Sequence, residues 1–320
     1  RRITKRVNDR MEKELIVTDV VVIGAGPAGM TAALYASRAN LKTHMIEKGV
    51  PGGEVNNTAD VENYPGFSLV SGPELAQHMY QGAMRFDAVH DYGDVSHIEV
   101  AGDLKRVHTS SKVYEAKAVI VATGSFHRHL GVPGEEELAG RGVSYCAVCD
   151  GFFFRDKEII VVGGGDSAVE EAHYLTQFAS KVTVIHRRDE LRAQKVLQDR
   201  AFANPKIEFI WDSVVEEILG TDAVEGVQIK NVKTGQTSRV DAQGVFIYVG
   251  LVPNSEAVKD LGITDQEGWI ITDDHMATSL PGIFAAGDVR QKHLRQIVTA
   301  TGDGGTAGFQ AYQYIESLKD

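Results

Sequence analysis

Cysteine is scarce in this sequence, which contains two such residues, Cys146 and Cys149, among 320. So few cysteines argue against a framework of structural disulfides, and their close spacing indicates a redox pair or half of a metal site. The sequence also lacks an apolar run that approaches the roughly 20 residues needed to span a bilayer, and its charged opening has no apolar stretch of signal-peptide type. We therefore expect no membrane partner and a cytoplasmic location.

Positive charge is also in short supply, with 33 Lys and Arg against 44 Asp and Glu and a net charge of -11. This balance argues against nucleic acid or an anionic membrane surface as the main partner. The length exceeds the size at which single cores stop growing, so two compact domains are expected. Residues 1–17 are assigned to an N-terminal arm, because the first ten are rich in Arg and Lys without periodicity and indicate disorder or an extraneous remnant.

A glycine-rich turn follows the first buried apolar run, Asp19–Ile23, and leads into a helix-like stretch. In this turn Gly24 allows a tight bend, Gly26 allows the backbone to approach a pyrophosphate, and Gly29 allows close helix packing. Glu47 ends the next strand, 23 residues after Gly24, where a carboxylate accepts hydrogen bonds from a ribose 2'-hydroxyl. This segment is predicted to bind a nucleotide without a 2'-phosphate, FAD or NAD.

The same arrangement recurs downstream, where the strand Glu158–Val162 precedes a second glycine turn, a helix and a further strand. In this second segment, the position that Glu47 has in the first is taken by the basic residues His186, Arg187 and Arg188. Guanidiniums form fork-shaped, charge-assisted hydrogen bonds with a 2'-phosphate, which a carboxylate would repel, so this segment is predicted to bind NADPH. A solvated basic run on a surface helix is the alternative. The residues assigned to this nucleotide are Gly163, Gly165, Asp166, Ser167, Ala168, His186, Arg187, Arg188 and Arg192, the last on the same face as Arg188 if the segment is helical.

A third segment, residues 281–288, is an apolar strand that ends in Gly-Asp and precedes a helical stretch from about residue 295. If it returns to the first nucleotide unit, the second unit is an insertion bounded near Gly124 and residues 250–253. The predicted fold class is therefore α/β, with two Rossmann-like nucleotide-binding domains, the NADPH domain being inserted into a split FAD domain. The predicted bounds are 18–125 and 254–320 for the FAD domain and 126–253 for the NADPH domain.

Two nucleotide sites of different preference imply electron transfer between two cofactors, for which a flavin is the usual intermediary. Asp288, at the end of the third segment, is positioned to bind a flavin ribitol hydroxyl. Backbone groups near Arg295 and Gln296 are positioned to meet the isoalloxazine ring. An ordinary strand-ending turn is the alternative for this Gly-Asp pair.

The segment Cys146-Ala-Val-Cys149-Asp150 is the predicted chemical centre. A two-residue spacer lets the thiols close a small disulfide, and in such motifs one thiolate is stabilised and attacks a partner disulfide. Asp150 adjoins the pair as a candidate proton donor or acceptor. A zinc site completed by histidines or shared across a dimer, and a purely structural disulfide, are the alternatives; no metal is predicted.

Together these segments resemble the low-molecular-weight thioredoxin reductases, a family of FAD- and NADPH-dependent disulfide reductases, from about residue 19 to residue 318. The most specific matches are residues 146–153, 186–192 and 284–289. The resemblance implies a homodimer that reduces the disulfide of thioredoxin. It also implies that Cys149 faces the flavin, that Cys146 attacks thioredoxin and that Asp150 handles the proton.

The resemblance adds flavin contacts in three regions, and it exposes one departure. The loop 51–54 has glutamate where the family has glutamine, and the resemblance therefore implies a carboxylate near FAD. We find no appended thioredoxin-like domain and no further cysteine pair, as relatives with such extensions would have. The added flavin residues are Lys48, Gly52, Gly53, Glu54, Asn63 and Ile297.

Two other functions remain open from the sequence. A dithiol oxidase would keep FAD and the cysteines and pass electrons to oxygen, but it would not need residues that bind NADPH. A flavoprotein redox sensor would change a partner contact without turnover. For a reductase, the cysteines and the NADPH residues lie in the same domain, so that domain is expected to alternate between two orientations about hinges near Gly124 and residues 250–253.

Overall fold

The computed structural model describes residues 13–58, 60–61 and 63–319. Its helices are α1 (Pro27–Arg38), α2 (Gly72–Ala83), α3 (Ala147–Asp150), α4 (Asp166–Leu175), α5 (Lys195–Ala203) and α6 (Ile297–Ser317). Its strands are β1 (Glu14–Val17), β2 (Val20–Ile23), β3 (Thr43–Glu47), β4 (Asp60–Val61), β5 (Val70–Ser71), β6 (Val89–Tyr92), β7 (His97–Ala101), β8 (Leu104–His108), β9 (Lys112–Ala116), β10 (Ala118–Val121), β11 (Ser125–His127), β12 (Val143–Ser144), β13 (Glu158–Val162), β14 (Lys181–Ile185), β15 (Ile207–Ile210), β16 (Ser213–Gly220), β17 (Val224–Asn231), β18 (Thr237–Asp241), β19 (Gly244–Ile247), β20 (Leu251–Pro253) and β21 (Ile283–Ala285).

The chain divides into two compact units, the second of which interrupts the first. The first unit takes the described residues within 1–57, 72–125 and 253–320, and the second takes those within 58–71 and 126–252. The predicted α/β fold class, with one nucleotide-binding unit inserted into a split one, is confirmed. The exact domain bounds remain a prediction. The predicted N-terminal arm lies mostly outside the described residues, but its last four residues form β1, which pairs in parallel with β9.

The first unit is built on a parallel sheet in the order β21-β10-β2-β3-β6. All four residues of β2 are buried, because α1 and α6 pack on one face of the sheet and the four-stranded sheet β1-β9-β8-β7 packs on the other. Apolar strands without alternation are typical of sheets covered on both faces. The glycine turn after β2 therefore lies at the carboxyl edge of a rigid sheet.

The second unit repeats this layering with a parallel sheet in the order β12-β19-β13-β14-β15. Helices α4 and α5 pack on one face and the antiparallel sheet β16-β17-β18 packs on the other. Strand β13 leads into the second glycine turn, and β12 leads into α3 with the cysteines. Both functional segments of this unit therefore leave the same edge of one sheet.

The structure defines two local features that the sequence left open or approximate. Residues 186–194, between β14 and α5, form a loop, so the condition under which Arg188 and Arg192 would share a helical face is not met. The helix expected from about residue 295 begins at Ile297, because Gln296 and Thr299 form a capping box that fixes its first turn. Among the described residues, no helix is long and apolar enough to cross a membrane.

Candidate functional site

The two cysteines form a disulfide at the beginning of α3, as the sequence predicts, with 5.3 Å between their Cα atoms. Cys146 is the N-cap residue of α3, and the Cys149 backbone N–H donates to Cys146 Sγ at 3.2 Å. A backbone N–H donor at a sulfur stabilises negative charge on that atom, as a thiolate carries. In the described part of the chain, no group of three or more His, Cys, Asp or Glu residues is arranged to hold a metal ion.

Asp150 follows the disulfide in the sequence, and hydrogen bonds of Ser144 connect its carboxylate to the Cys146 backbone. The Ser144 hydroxyl donates to Asp150 Oδ2 at 2.6 Å, and the same hydroxyl oxygen accepts from the Cys146 backbone N–H at 3.2 Å. Burial raises the pKa of Asp150 above its ordinary value, although the Ser144 hydrogen bond opposes this effect. The carboxyl therefore holds a proton at a higher pH than an exposed aspartate does, as a proton carrier beside thiols requires.

Tyr248 contacts the segment between the cysteines, and the charge of Glu171 acts on Tyr248; the sequence analysis missed both residues. Tyr248 Oη accepts from the Ala147 backbone N–H at 2.5 Å. Burial raises the pKa of Tyr248 well above the ordinary tyrosine value, with the charge of Glu171 as the next cause. Burial, together with the charge of Glu170, raises the pKa of Glu171 to about 7.

Strand register is the signal that locates Tyr248. Ser144 in β12 pairs with Phe246 in β19. Two residues further along these parallel strands, Cys146 and Tyr248 are expected side by side at the carboxyl edge. Sequence inspection alone does not give this register, since about 100 residues separate the two strands along the chain.

An exposed aromatic patch follows the disulfide in the turn after α3. Phe152 is 47% exposed and Phe153 is 45% exposed. The guanidinium of Arg155 lies 5.1 Å from the centre of the Phe152 ring. Large apolar side chains left in contact with water next to a reactive group are typical of a docking surface.

The second glycine turn is shaped for a close approach by phosphate. Gly163 has φ +143°, and a Cβ there would lie 2.3 Å from the Tyr248 carbonyl oxygen, so no other residue fits. A Cβ at Gly165 would meet nothing within 4 Å, so this side of the turn is open. Ala168 is buried behind the turn, whereas Asp166 and Ser167 are exposed at the start of α4. The Asp166 carboxylate accepts from the backbone N–H and the side-chain amide of Gln194.

The three arginines of the basic segment differ from the histidine that precedes them. Arg187, Arg188 and Arg192 are exposed, and no ion pair between described residues involves them. His186 is 4% exposed, and a Cβ at Gly164 would lie 2.3 Å from its Cε1, so its ring supports the turn. Burial lowers the pKa of His186, and the nearby arginines lower it further. The arginines are therefore the residues that present positive charge here.

The first glycine turn, in the first unit, has the same design. A Cβ at Gly24 would lie 2.3 Å from the Ala122 carbonyl oxygen, and one at Gly29 would lie 1.8 Å from the Gly24 carbonyl oxygen. Both positions therefore require glycine, for the bend and for helix packing respectively. A Cβ at Gly26 would meet nothing within 4 Å, so the backbone of this turn is open to a ligand.

Glu47 and the loop after it complete the edge of this turn. One carboxylate oxygen of Glu47 accepts from the Ala25 N–H at 2.9 Å, and the other accepts from the Gly49 N–H at 2.8 Å. The Gly52 N–H donates to the Ala25 carbonyl at 2.7 Å, and a Cβ at Gly53 would lie 3.2 Å from Gly26 Cα. The loop is thus packed on the turn. Of the remaining predicted residues nearby, Lys48 and Glu54 are exposed, and exposed Asn63 belongs to the second unit.

Asp288, which follows β21, is the next candidate residue of the nucleotide site in the first unit. Its Oδ1 atom is buried and has no hydrogen-bond partner among the described residues. Burial raises the pKa of Asp288; the charges of Lys292 and Arg295 oppose this effect, and those of Asp303 and Glu54 act with it. A buried, unpartnered carboxylate oxygen is costly unless a ligand supplies a donor. The open Gly26 backbone and this orphaned oxygen fit the pyrophosphate and ribitol of FAD.

The residues around Asp288 are tightly held. The Arg295 side chain donates from Nε to the Asp288 carbonyl at 3.1 Å, and its guanidinium carbon lies 3.8 Å from the centre of the Trp269 ring. The Gly287 N–H donates to Asp303 at 3.0 Å. These hydrogen bonds fix the turn at Gly287 and Asp288, and Gln296 and Ile297 follow at the N-terminal end of α6. Trp269 and Asp303 are supports that the sequence analysis missed, since neither belongs to a local motif.

Comparison with known proteins gives a consistent result. Residues 18–304 match the family model described as pyridine nucleotide-disulphide oxidoreductase. The chain is 60% identical over 311 residues to a thioredoxin reductase of Listeria monocytogenes, with 97% of this chain and 98% of that protein covered. It is 56% identical over 305 residues to a thioredoxin reductase of Bacillus subtilis, with 95% and 96% covered. The crystal structure of a thioredoxin reductase from Streptococcus pyogenes matches with a TM-score of 0.89 at 65% identity, covering 94% of this chain and 99% of that one.

Proposed function

We infer the reaction of this chain from the family to which it belongs, the thioredoxin reductases among the pyridine nucleotide-disulphide oxidoreductases. The chain reduces the disulfide of thioredoxin with electrons from NADPH, through its own Cys146–Cys149 pair. The disulfide at the start of α3 is the observation that carries this function, because the sequence contains no other cysteine.

The two cysteines have different roles in the proposed exchange. The Cys146 thiolate attacks one sulfur of the substrate disulfide, forms a mixed disulfide and expels one substrate thiolate. The Cys149 thiolate then attacks Cys146, restores the internal disulfide and expels the second thiolate. Two electrons pass to the substrate, and two protons follow. We assign Cys146 as the attacking group because its sulfur accepts the Cys149 N–H, and Asp150 as the proton carrier because its pKa is raised.

FAD, when bound, supplies the two-electron chemistry between the nicotinamide hydride and the disulfide. The open turn at Gly26 is proposed to hold its pyrophosphate, and Asp288 its ribitol. Each Glu47 oxygen accepts one backbone N–H and has a further lone pair for a ribose hydroxyl. The complete proposed FAD set is Gly24, Gly26, Gly29, Glu47, Lys48, Gly52, Gly53, Glu54, Asn63, Asp288, Arg295, Gln296 and Ile297.

NADPH is proposed to bind the second unit at the Gly163–Gly165 turn. Its 2'-phosphate would be held by Arg187, Arg188 and Arg192, whose guanidiniums are exposed and without an ion-pair partner in the described chain. We propose that His186 contributes to this site by supporting the turn, since its side chain is buried.

Thioredoxin is proposed to dock on the exposed pair Phe152 and Phe153. These rings follow the disulfide directly and give a substrate protein an apolar contact beside the reacting sulfurs. Burial of such rings is a large contribution to binding between proteins.

A homodimer is a further part of the proposal. On α1 and α6 of the first unit, Tyr35 is 44% exposed and Phe309 is 48% exposed. A Cβ at Gly305 would lie 3.5 Å from the Tyr35 ring, and Phe309 follows one helical turn later, so the two rings share a face. Light scattering coupled to size exclusion should give twice the chain mass, and Phe309→Glu should give monomers.

We also propose a cytoplasmic location, since a dithiol of this kind works in a reducing compartment.

The decisive experiment follows NADPH oxidation with thioredoxin and a reporter disulfide. Steady consumption that requires thioredoxin, with much slower turnover on NADH, is expected. Oxygen consumption driven by a dithiol without NADPH would indicate an oxidase. Anaerobic NADPH should bleach the flavin, and bleaching without any turnover on disulfides would indicate a redox sensor.

A further inference from the structure

Tyr248 lies where the two functional segments of the second unit meet. Its backbone N–H donates to the Val162 carbonyl at 2.8 Å, and its carbonyl oxygen closes the space beside Gly163. Its hydroxyl accepts from the N–H of Ala147, the first residue between the two cysteines. One residue therefore fixes the disulfide segment to the edge of the sheet that carries the glycine turn.

The hydrogen bond matters because its donor is buried. Ala147 is 1% exposed, and its N–H is within the first turn of α3, where no backbone carbonyl can accept it. Tyr248 is therefore the partner that this amide needs while the disulfide holds the segment closed. Its hydroxyl remains protonated, since burial raises the pKa of Tyr248 well above the ordinary value.

We propose that Tyr248 is a positioning residue that stabilises the disulfide form of the Cys146–Cys149 couple over the dithiol form. By holding Ala147, it keeps the two sulfurs close together, which raises their effective concentration for ring closure. Without the hydroxyl, the disulfide form buries an unpaired amide, a cost that the more mobile dithiol form escapes. Both effects make the couple harder to reduce. This inference rests on the proposed redox role of the pair.

The test is the reduction potential of the couple in the full-length, flavin-loaded enzyme. Wild type and Tyr248→Phe are equilibrated in dithiothreitol redox buffers, the thiols are alkylated, and the two forms are counted by mass spectrometry. An ordinary hydrogen bond predicts a roughly three- to ten-fold lower equilibrium constant for disulfide formation in Tyr248→Phe. Tenfold corresponds to a potential about 30 mV less negative.

Tyr145→Phe is the matched control. Tyr145 precedes Cys146, but its hydroxyl donates to Glu135 at 2.7 Å rather than bonding the segment between the cysteines. It should lower thermal stability without changing the potential. An unchanged or more negative potential in Tyr248→Phe, or an equal shift in Tyr145→Phe, would overturn the inference.

Hydrogen exchange on the wild-type enzyme gives a second test that needs no variant. The Ala147 amide should exchange slowly in the disulfide form and faster after reduction. Fast exchange in the disulfide form would show that the hydrogen bond to Tyr248 does not hold. A pair that cannot be cycled reversibly in either experiment would contradict the proposed function itself, whereas equal potentials would contradict only the role of Tyr248.

Discussion

Single residues in the second unit divide into those that the sequence motif identifies and those whose properties depend on packing. The spacing of Cys146 and Cys149 predicted a redox pair and made Asp150 a candidate proton carrier, whereas the separate roles of the two cysteines came from the family resemblance. Glu171 is on a different helix, and its raised pKa is a result of burial that no local pattern states. Motif chemistry is therefore predictable from sequence, whereas proton affinity depends on the tertiary surroundings.

Glu171 should make folding stability depend on pH. Its pKa is about 7 in the folded chain against an ordinary 4.5, so the folded state holds this proton more tightly than the unfolded state. Stability should therefore fall as pH rises from about 4.5 to about 7, by at most about 3 kcal/mol. Glu171→Gln should raise the melting temperature at pH 8 and leave it unchanged near pH 4.5. Glu225→Gln, at an exposed glutamate of β17 in the same unit, is the control and should have a much smaller effect.

Arg188 should determine the preference for NADPH. A hydrogen bond to a charged group contributes about 1.5 to 3 kcal/mol, so Arg188→Ala should weaken NADPH binding roughly ten-fold or more and leave NADH nearly unchanged. Arg200→Ala, at an exposed arginine of α5 in the same unit, is the matched control. Equal losses for both nucleotides, measured by titration, would show that the phosphate assignment is wrong.

Cys146→Ser and Cys149→Ser should each abolish thioredoxin reduction while FAD stays bound and NADPH still bleaches it, because the thiols act after the hydride step. Activity is measured as NADPH oxidation with thioredoxin, and flavin content by absorbance. Loss of flavin from either variant would instead assign the pair a structural role.

Secondary-structure elements were predicted best where glycine turns mark their ends. The strands before Gly24 and Gly163 and the helices after them follow from buried apolar runs and turn chemistry, both local properties. Whether the basic segment at 186–194 is helical was left open by the sequence, because charge spacing does not distinguish a helix from the loop found there. The position of Tyr248 was missed because it depends on strand register, a long-range property.

The turn after α3 should contribute affinity for thioredoxin. Phe152 is half exposed beside the disulfide, and burying much of such a ring contributes about 1.5 to 3 kcal/mol, so Phe152→Ala should raise the KM for thioredoxin about ten-fold. Flavin reduction by NADPH precedes docking and should keep its rate. Phe202→Ala removes an exposed phenylalanine of α5 and is the matched control. A KM that rises equally in both variants would indicate general destabilisation.

At the scale of the whole molecule, the distribution of functions between the units imposes a constraint. The disulfide and the proposed NADPH residues both belong to the second unit, while nearly all proposed flavin residues belong to the first. Hydride transfer and disulfide reduction each need reacting atoms within about 3 to 3.5 Å, so the two reactions are not expected at the same time.

The segments that connect the units suit a hinge. Gly124 has φ +69° and Gly250 has φ +123°, conformations that glycine adopts without strain. On the side of the first unit, the Asn254 N–H donates to the Gly124 carbonyl at 2.9 Å, and on the side of the second, the Arg128 N–H donates to the Gly250 carbonyl at 2.9 Å. Each bond joins the two connections on the side of one unit, and between these bonds β11 and β20 pair as a two-stranded ribbon. We expect the rotation to occur at this ribbon.

We predict that turnover requires the second unit to alternate between two orientations. A short covalent tether between the units, formed from one reactive non-natural side chain in each, should allow one half-reaction and slow the other at least a hundred-fold, because each needs its own orientation. The half-reactions are flavin reduction by NADPH and reoxidation of the flavin by the Cys146–Cys149 disulfide, both followed by stopped-flow absorbance. A long, flexible tether at the same two positions is the control and should restore both. If the short tether left both half-reactions at full rate while NADPH still bound, the two-orientation mechanism would be wrong.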